Sequence, residues 1–231
     1  MKCLILCAGR GSRINEGFAD YVPKPLRSYL GQSILGHKIR QLNRASSSIS
    51  IHDRITEYGI IIDPASEYLY KEALDNDPRH TFIHGNQNGT ADNVYLSRDF
   101  IGSDNKFLVT SGDVIIGEES LAKIMSSSPV LLGVYRVNDA SEGINIVVSG
   151  TMELTRVDGQ APKGPGLFDA GIYVLDQSIF PVIPVTEIDP SRKERKLIDS
   201  IVGLANSGKR VKVGMVEDFY RHFTYKRDLD S

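Results

Sequence analysis

Arg13 closes a glycine-rich stretch, LILCAGRGSR, and Lys24 stands between two prolines in VPKPL. A guanidinium grips a polyphosphate through two parallel hydrogen bonds, whereas an ammonium acts as a point charge. Gly9 and Gly11 let the backbone approach a ligand closely and turn its amides inward, a geometry that suits phosphate. The loop lacks the GxGxxG spacing of a dinucleotide site and the GKS/T ending of a Walker loop. Its chemistry is that of a phosphate site with its own cations. Pro25 pushes Lys24 away from helical geometry, so the prolines are expected to hold its backbone extended.

Such residues need a scaffold that delivers loops to one edge. The hydrophobic pattern predicts strands at residues 2–8, 59–63, 81–84, 106–110 and 130–137. Helices are predicted between them at 34–44, 65–74, 90–100 and 118–125, the first capped by Ser33 and followed by a turn at 45–50. Ser111-Gly112-Asp113 ends the fourth strand. Further on, 144–149 and 152–157 read as a hairpin, 168–175 and 212–216 as strands, and 191–207 as the longest helix. This alternation predicts an α/β fold in three α/β/α layers, Rossmann-like, with a mixed, mostly parallel sheet. Ligands of such sheets sit beyond the carboxyl ends of the strands, where the glycine loop falls.

Bulk composition narrows the function. The chain has 231 residues, 41% hydrophobic and 24% charged, with net charge -2. Neither a nucleic-acid binder nor a membrane-surface binder is indicated, and no apolar run reaches membrane-spanning length. Residues 3–8 are too short for a secretory signal. The two cysteines, Cys3 and Cys7, lie too far apart along a strand to form a disulfide. They read as buried thiols in a reducing compartment, so a cytoplasmic location is expected. No linker or repeat divides the chain, and one domain over 1–231 is expected.

LILCAGRGSR followed by VPKPL resembles the opening of the sugar-phosphate nucleotidyltransferases, also called nucleoside-diphosphate-sugar pyrophosphorylases. Their usual form is a strand, AGxGTR or AGxGSR, then PKPL or PKAL. GNQNGTADNVYLSRDF resembles their second nucleotide loop and helix, and FLVTSGDVII the strand that delivers a metal-binding aspartate. SEGINIVV, FDAGIYVLD and ERKLID follow the order of their sugar site. The resemblance covers nearly the whole chain. It implies a nucleotide-binding half at 1–137 and an acceptor-binding half at 138–231.

The resemblance implies a nucleoside triphosphate and a phosphorylated small-molecule acceptor, a sugar 1-phosphate or similar, as partners. Mg2+ is implied as cofactor, and oligomeric state is not addressed. The backbone of 8–12, including Ala8, Gly9, Gly11 and Ser12, would hold the nucleotide together with Gly89 and Thr90. Arg13 would hold the departing pyrophosphate, Lys24 the α-phosphate charge, and Asp113 the Mg2+. Gly143, Asp169 and Glu194 match acceptor positions, and Lys163 is the candidate for the acceptor phosphate. Phosphocholine or inositol-phosphate cytidylyltransferases, a glycosyltransferase of related fold and a non-catalytic nucleotide-binding member stay open as alternatives.

Three departures mark this chain. The family's EKP segment is missing: an ungapped count back from Gly171 puts Asp158 and Gly159 at its glutamate and lysine, and Lys163 fits only with a loop shift. The family's late metal-binding aspartate corresponds to His222 in YRHFTYKRDL, a poor Mg2+ ligand. Imidazole suits softer divalent metals, so three readings stay open: Asp113 and the phosphates hold the metal largely alone, which we expect, His222 contacts a phosphate, or the site is damaged. The base-reading position five residues before Gly89 is His84, with Gln87 as the other candidate.

Overall fold

The computed structural model describes every residue except 10, 17, 19, 75, 76, 160, 192 and 231, and only the backbone of 142. Arg10 of the glycine loop and Arg192 of the predicted long helix therefore lie outside the described residues.

The chain opens with β1 (Lys2–Leu6) and a single helical turn, α1 (Ser12–Asn15). A small hairpin, β2 (Ser28–Tyr29) and β3 (Gln32–Ser33), leads into α2 (Ile34–Ser47). Then come β4 (Glu57–Ile62), α3 (Glu67–Ala73), β5 (His80–His84), α4 (Thr90–Leu96) and α5 (Arg98–Ile101). They are followed by β6 (Phe107–Ser111), β7 (Val114–Ile116), α6 (Glu118–Met125) and β8 (Leu131–Val137). The last third contains β9 (Asn145–Val148), β10 (Leu154–Asp158), β11 (Gly166–Leu175), α7 (Leu197–Asn206), β12 (Lys212–Met215) and β13 (Tyr220–His222).

Among the described residues nine strands form one sheet in the order β10-β9-β11-β6-β1-β4-β5, with β8 and then β12 continuing from β11. β1 pairs in parallel with both β4 and β6, and β5 with β4. Within this sheet β11 and β10 run against the other strands, so the sheet is mixed and mostly parallel. Alternation along β1 sends its side chains to two cores. Cys3 and Ile5 pack with Leu35 and Leu42 of α2 and Leu121 of α6, while Leu4 packs with Val94 of α4 and Ile201 of α7. These are the outer layers of a three-layer α/β/α fold. Both cysteines are free and buried as expected, and burial pushes the Cys3 thiol up to about 12.

The Ser33 hydroxyl accepts the Gly36 amide at 3.0 Å and starts α2 as predicted. The helix then runs through the predicted turn to Ser47. The predicted helix at 90–100 is broken at Ser97, whose hydroxyl donates back to the Asn93 carbonyl at 2.9 Å. The predicted helix at 191–207 begins only at Leu197. Asp189 stands before Pro190, which disfavours helix there. Its carboxylate accepts the Ser191 amide at 2.9 Å, and the backbone returns through Lys193 at φ 57 to pair Glu194 with Asp189. Residues 194–196 are therefore extended, and Glu194 is not on a helical face.

Candidate active site

Two adjoining cavities open at the carboxyl end of the parallel strands. The first has a volume of about 360 Å3 and is lined by Ala8, Gly9, Gly11, Ser12 and Arg13 from the glycine loop, with Lys24 beside them. Asn86, Gln87, Gly89 and Thr90 line its far side. The second, about 440 Å3, lies over β8, β11 and β13 and is lined by Tyr135, Phe168, Asp169, Tyr173, Tyr220 and His222. Thr90, Ser111, Asp113 and Glu194 belong to both.

The two opening motifs touch. Gly11, at φ 59, has the Lys24 side chain only 2.9 Å from where a Cβ would stand. Asn15 of α1 accepts from Arg27 Nε at 2.9 Å, tying the loop to the proline segment. Ile14 is buried with Tyr29, Ile34 and Phe223, which anchors α1 and leaves Arg13 exposed at the cavity edge. The Lys24 backbone is not extended as expected. Residues 24–26 form a 3-10 turn, with the Leu26 amide donating to the Pro23 carbonyl at 2.8 Å. Pro25 fits there because amides in a first helical turn have no partner to lose.

Lys24 Nζ lies 2.5 Å from Asp113 Oδ2, and His222 Nε2 lies 3.3 Å from the same oxygen. Burial disfavours the Asp113 charge. The His222 hydrogen bond and the Lys24 and His222 charges outweigh burial and hold the carboxyl well below the usual range. The pairing of β13 with β7 explains the meeting: His222 is opposite Val114, and the Phe223 amide donates to the Asp113 carbonyl at 3.0 Å. Beneath them Lys38 of α2 is fully buried, donates to Thr110 Oγ1 at 2.9 Å, and is pushed down to about 8 by burial.

The loop holding Gly89 and Thr90 is clamped by the extended stretch before α7. The Arg195 amide donates to the Asn88 carbonyl at 2.7 Å and the Ala91 amide to the Arg195 carbonyl at 3.1 Å. Thr90 Oγ1 accepts the Leu197 amide at 2.9 Å, and the Arg195 guanidinium donates to Asp92 at 2.9 Å. Gly89 has φ 120, and a Cβ there would stand 2.2 Å from the Arg195 carbonyl oxygen.

Three expected residues fall elsewhere. His84 is exposed, 2.7 Å from Glu67 Oε2, and lines neither cavity; Gln87 does. Lys163 is exposed on the loop after β10 and lines neither cavity, so the loop shift it needed is not seen. Gly143 packs against the Phe168 ring, leaving its neighbour Ile144 to face the second cavity. Asp169 and Glu194 both line the second cavity. Asp169 accepts the Gly171 amide at 2.8 Å and the Tyr173 hydroxyl at 2.5 Å, and burial pushes its carboxyl up to about 6. Sequence reasoning missed Lys196, Tyr135, Tyr220 and Thr224, which line the cavities from segments far apart in the chain that only tertiary contacts bring together. The single trace of Lys196 was its place in the basic cluster before α7.

Residues 2–221 match the family described as nucleotidyl transferase. The chain belongs to that family. It is 28% identical over 212 residues to the bifunctional protein GlmU of Methanocaldococcus jannaschii, covering 90% of this chain and 48% of that protein. It is also 28% identical over 208 residues to a probable glucose-1-phosphate cytidylyltransferase of Bacillus subtilis, covering 80% of this chain and 78% of that one. This nucleotidyl transferase chain spans about half the length of the GlmU relatives it matches. The inositol-1-phosphate CTP transferase from T. maritima superposes with TM-score 0.78 at 17% identity, over 100% of this chain and 91% of that one. HddC from Yersinia pseudotuberculosis complexed with GMP-PN gives 0.72 at 15%, over 99% and 96%. Both share the fold. No helix among the described residues is long and apolar enough to cross a membrane.

Proposed function

We propose that the chain transfers a nucleoside monophosphate from a nucleoside triphosphate to a phosphorylated small molecule, releasing pyrophosphate. The observation that carries this reading is the meeting of the two cavities at Asp113, with Lys24 against it. An oxygen of the acceptor phosphate attacks the α-phosphorus. The bond from that phosphorus to the bridging oxygen breaks, and pyrophosphate leaves with the electron pair. The site must bring two anions together, and opposed unit charges about 4 Å apart in a partly screened site are worth on the order of 4 kcal/mol. Lys24 offsets charge on the α-phosphate side and Arg13 holds the departing pyrophosphate. The loop 8–12, Gly89 and Thr90 hold the nucleotide, with Gln87 rather than His84 beside the base.

A divalent cation, Mg2+ by its preference for oxygen, fits this site only with substrate present. Among the described residues no group of three or more histidine, cysteine, aspartate or glutamate side chains could hold a metal. Asp113 offers one carboxylate, and substrate phosphates must supply the other oxygens, as Mg2+ sites commonly arrange. When bound, the cation would neutralise developing phosphate charge. His222 shares an Asp113 oxygen and orients that carboxylate. His222→Ala should keep Mg2+-supported activity within about tenfold, about 1.4 kcal/mol; abolition with the fold intact would make His222 a required ligand. In the second cavity Asp169 and Glu194 face the acceptor, and Lys196 replaces Lys163 as the phosphate anchor. The division at 137/138 then marks which substrate each half mainly serves, with Tyr135 and Thr224 lent across it.

The test is pyrophosphate release from a panel of nucleoside triphosphates crossed with phosphorylated acceptors. At least one pair should turn over, with loss in Arg13→Ala and Asp113→Asn. Nucleotide affinity without turnover in any pair would mark a binding module instead.

A further inference from the structure

The second cavity carries a charge balance that the transfer reaction alone does not require. Its walls hold four aromatic side chains, Tyr135, Phe168, Tyr173 and Tyr220. The Tyr135 and Tyr220 rings stack with centroids 3.9 Å apart, and Phe168 meets Tyr135 edge-on at 6.1 Å. Facing these rings are Asp169 and Glu194. The Asp169 oxygens accept from two neutral donors, the Gly171 amide and the Tyr173 hydroxyl. Among the described residues neither carboxylate forms an ion pair with a lysine or arginine. Lys196 lines the cavity but its ammonium is 2.5 Å from Asp189. His222 stands at the junction with the first cavity, beside Asp113.

Among the described residues two carboxylates thus face an aromatic enclosure with no lysine or arginine paired to them, His222 being the one basic group whose charge reaches Asp169, in a cavity that must admit a phosphate. Uncompensated partly buried charge is unfavourable. A neutral polyol would hydrogen-bond these oxygens and leave their charge in place. A cation answers both features: the ring faces attract it through their quadrupoles and the carboxylates through their charge.

Resting on the transfer reaction proposed above, we infer that the acceptor bears an ammonium group, protonated or quaternary, in addition to its phosphate. The ammonium seats between the Tyr135–Tyr220 stack and the carboxylates of Asp169 and Glu194. The phosphate end turns toward Lys196 and Asp113, where the two cavities join. Asp169 is the specificity-determining residue, because a carboxylate there, unlike an amide, supplies charge as well as hydrogen-bond acceptors.

The experiment is a calorimetric titration of the whole chain, with Mg2+ and a non-hydrolysable triphosphate present, using matched probe pairs. Phosphocholine and phosphoethanolamine are compared with glycerol 3-phosphate, and glucosamine 1-phosphate with glucose 1-phosphate. The ammonium-bearing member of at least one pair should bind at least tenfold more tightly. That preference should fall below threefold in Asp169→Asn and in Glu194→Gln. Equal or tighter binding of the neutral member in both pairs overturns the inference. So does a preference that survives both substitutions, and so does a lack of measurable binding by every ammonium-bearing probe. Pyrophosphate release is scored separately with the same acceptors. Ammonium-selective binding without turnover would sink the transfer reaction and leave the ligand class standing. Turnover confined to neutral acceptors would do the reverse.

Discussion

The two cavities are built on opposite principles. The first draws its cations from a short span of sequence: Arg13, Lys24 and the glycine loop lie close together in the chain, and the shared Asp113 and Glu194 balance their charge. The second is anionic and aromatic: β8 and β11 reach it as paired strands, β13 through its pairing with β7, and the stretch before α7 through its hydrogen bonds to the loop at 88–91. The difference follows from what each must hold. A triphosphate is the same anion whatever the acceptor, so short loops at strand ends suffice to bind it. An acceptor varies, and its cavity is assembled from side chains whose register could be changed without disturbing the phosphate loop.

If the contrast holds, the largest loss belongs to the shared junction. Lys24→Ala should lower kcat by about 100- to 1,000-fold, about 3–4 kcal/mol, the scale for removing one preorganised charge-stabilising donor. The loss should be the same with every acceptor, because Lys24 serves the nucleotide side. Steady-state kinetics with two acceptors checks this; a loss confined to one acceptor would merge the two regions into one.

Next is Gly89→Ala, which probes the clamp between the regions. A Cβ at that φ meets the Arg195 carbonyl at 2.2 Å, so either the loop or the extended stretch must move. Stability should fall by about 2–3 kcal/mol, the usual scale for overpacking with backbone strain. Both substrates' KM values should rise, since Thr90 and Glu194 line both cavities. Denaturant melts and paired KM measurements read the two effects. An unchanged acceptor KM would show that the clamp serves the nucleotide alone.

Asp169→Asn tests the anionic side through pH. The native fold holds the Asp169 proton more tightly than the unfolded chain does, from an ordinary 3.8 up to about 6. Its favourable contribution is therefore fully present below about pH 3.8 and is lost as pH rises through about 6. The amide variant should match the parent near pH 4 and be more stable above pH 7. The ceiling is about 3 kcal/mol, and about 1–2 is expected after relaxation. Melts across pH measure it; a gap that does not vary with pH would mean Asp169 is not held as a strained carboxylate.

Sequence reasoning reached the two regions unequally, for a physical reason. β1, α6 and the Ser33 cap are set by local hydrophobic period and capping chemistry, and they fall where expected. Asp113 was recognisable through the resemblance of FLVTSGDVII to the family's strand that delivers a metal-binding aspartate. The Lys24 turn and the 189–196 stretch were misread because a proline's local preference has several solutions, and tertiary contacts choose among them. For Lys24 the choice was the contact with Asp113, and for 194–197 the hydrogen bonds to Asn88, Thr90 and Ala91. His222 was located as a departure, yet its partner became visible only through the pairing of β13 with β7.

The smallest expected effects separate Lys163, the lysine the sequence pointed to, from Lys196, which it missed. Lys163 is exposed, lines neither cavity, and its loop lies beyond β10. Lys196 lines the second cavity, but Asp189 already holds its ammonium at 2.5 Å. An incoming acceptor phosphate must compete for that ammonium, so Lys196 contributes less than an unpaired cation would. Lys196→Ala should raise the acceptor KM by about tenfold, about 1.4 kcal/mol, with the triphosphate KM nearly unchanged. Lys163→Ala should change neither by more than about twofold, as for an exposed side chain away from the site. Asp189→Asn tests this competition directly. With the competing carboxylate neutralised, Lys196 is freer to meet phosphate, and the acceptor KM should fall or stay level. A rise in KM would instead make the Asp189–Lys196 pair the element that positions the ammonium. If Lys163→Ala carries the tenfold effect, the loop after β10 closes over the acceptor during the reaction, and the second cavity gains a wall that strand pairing does not supply.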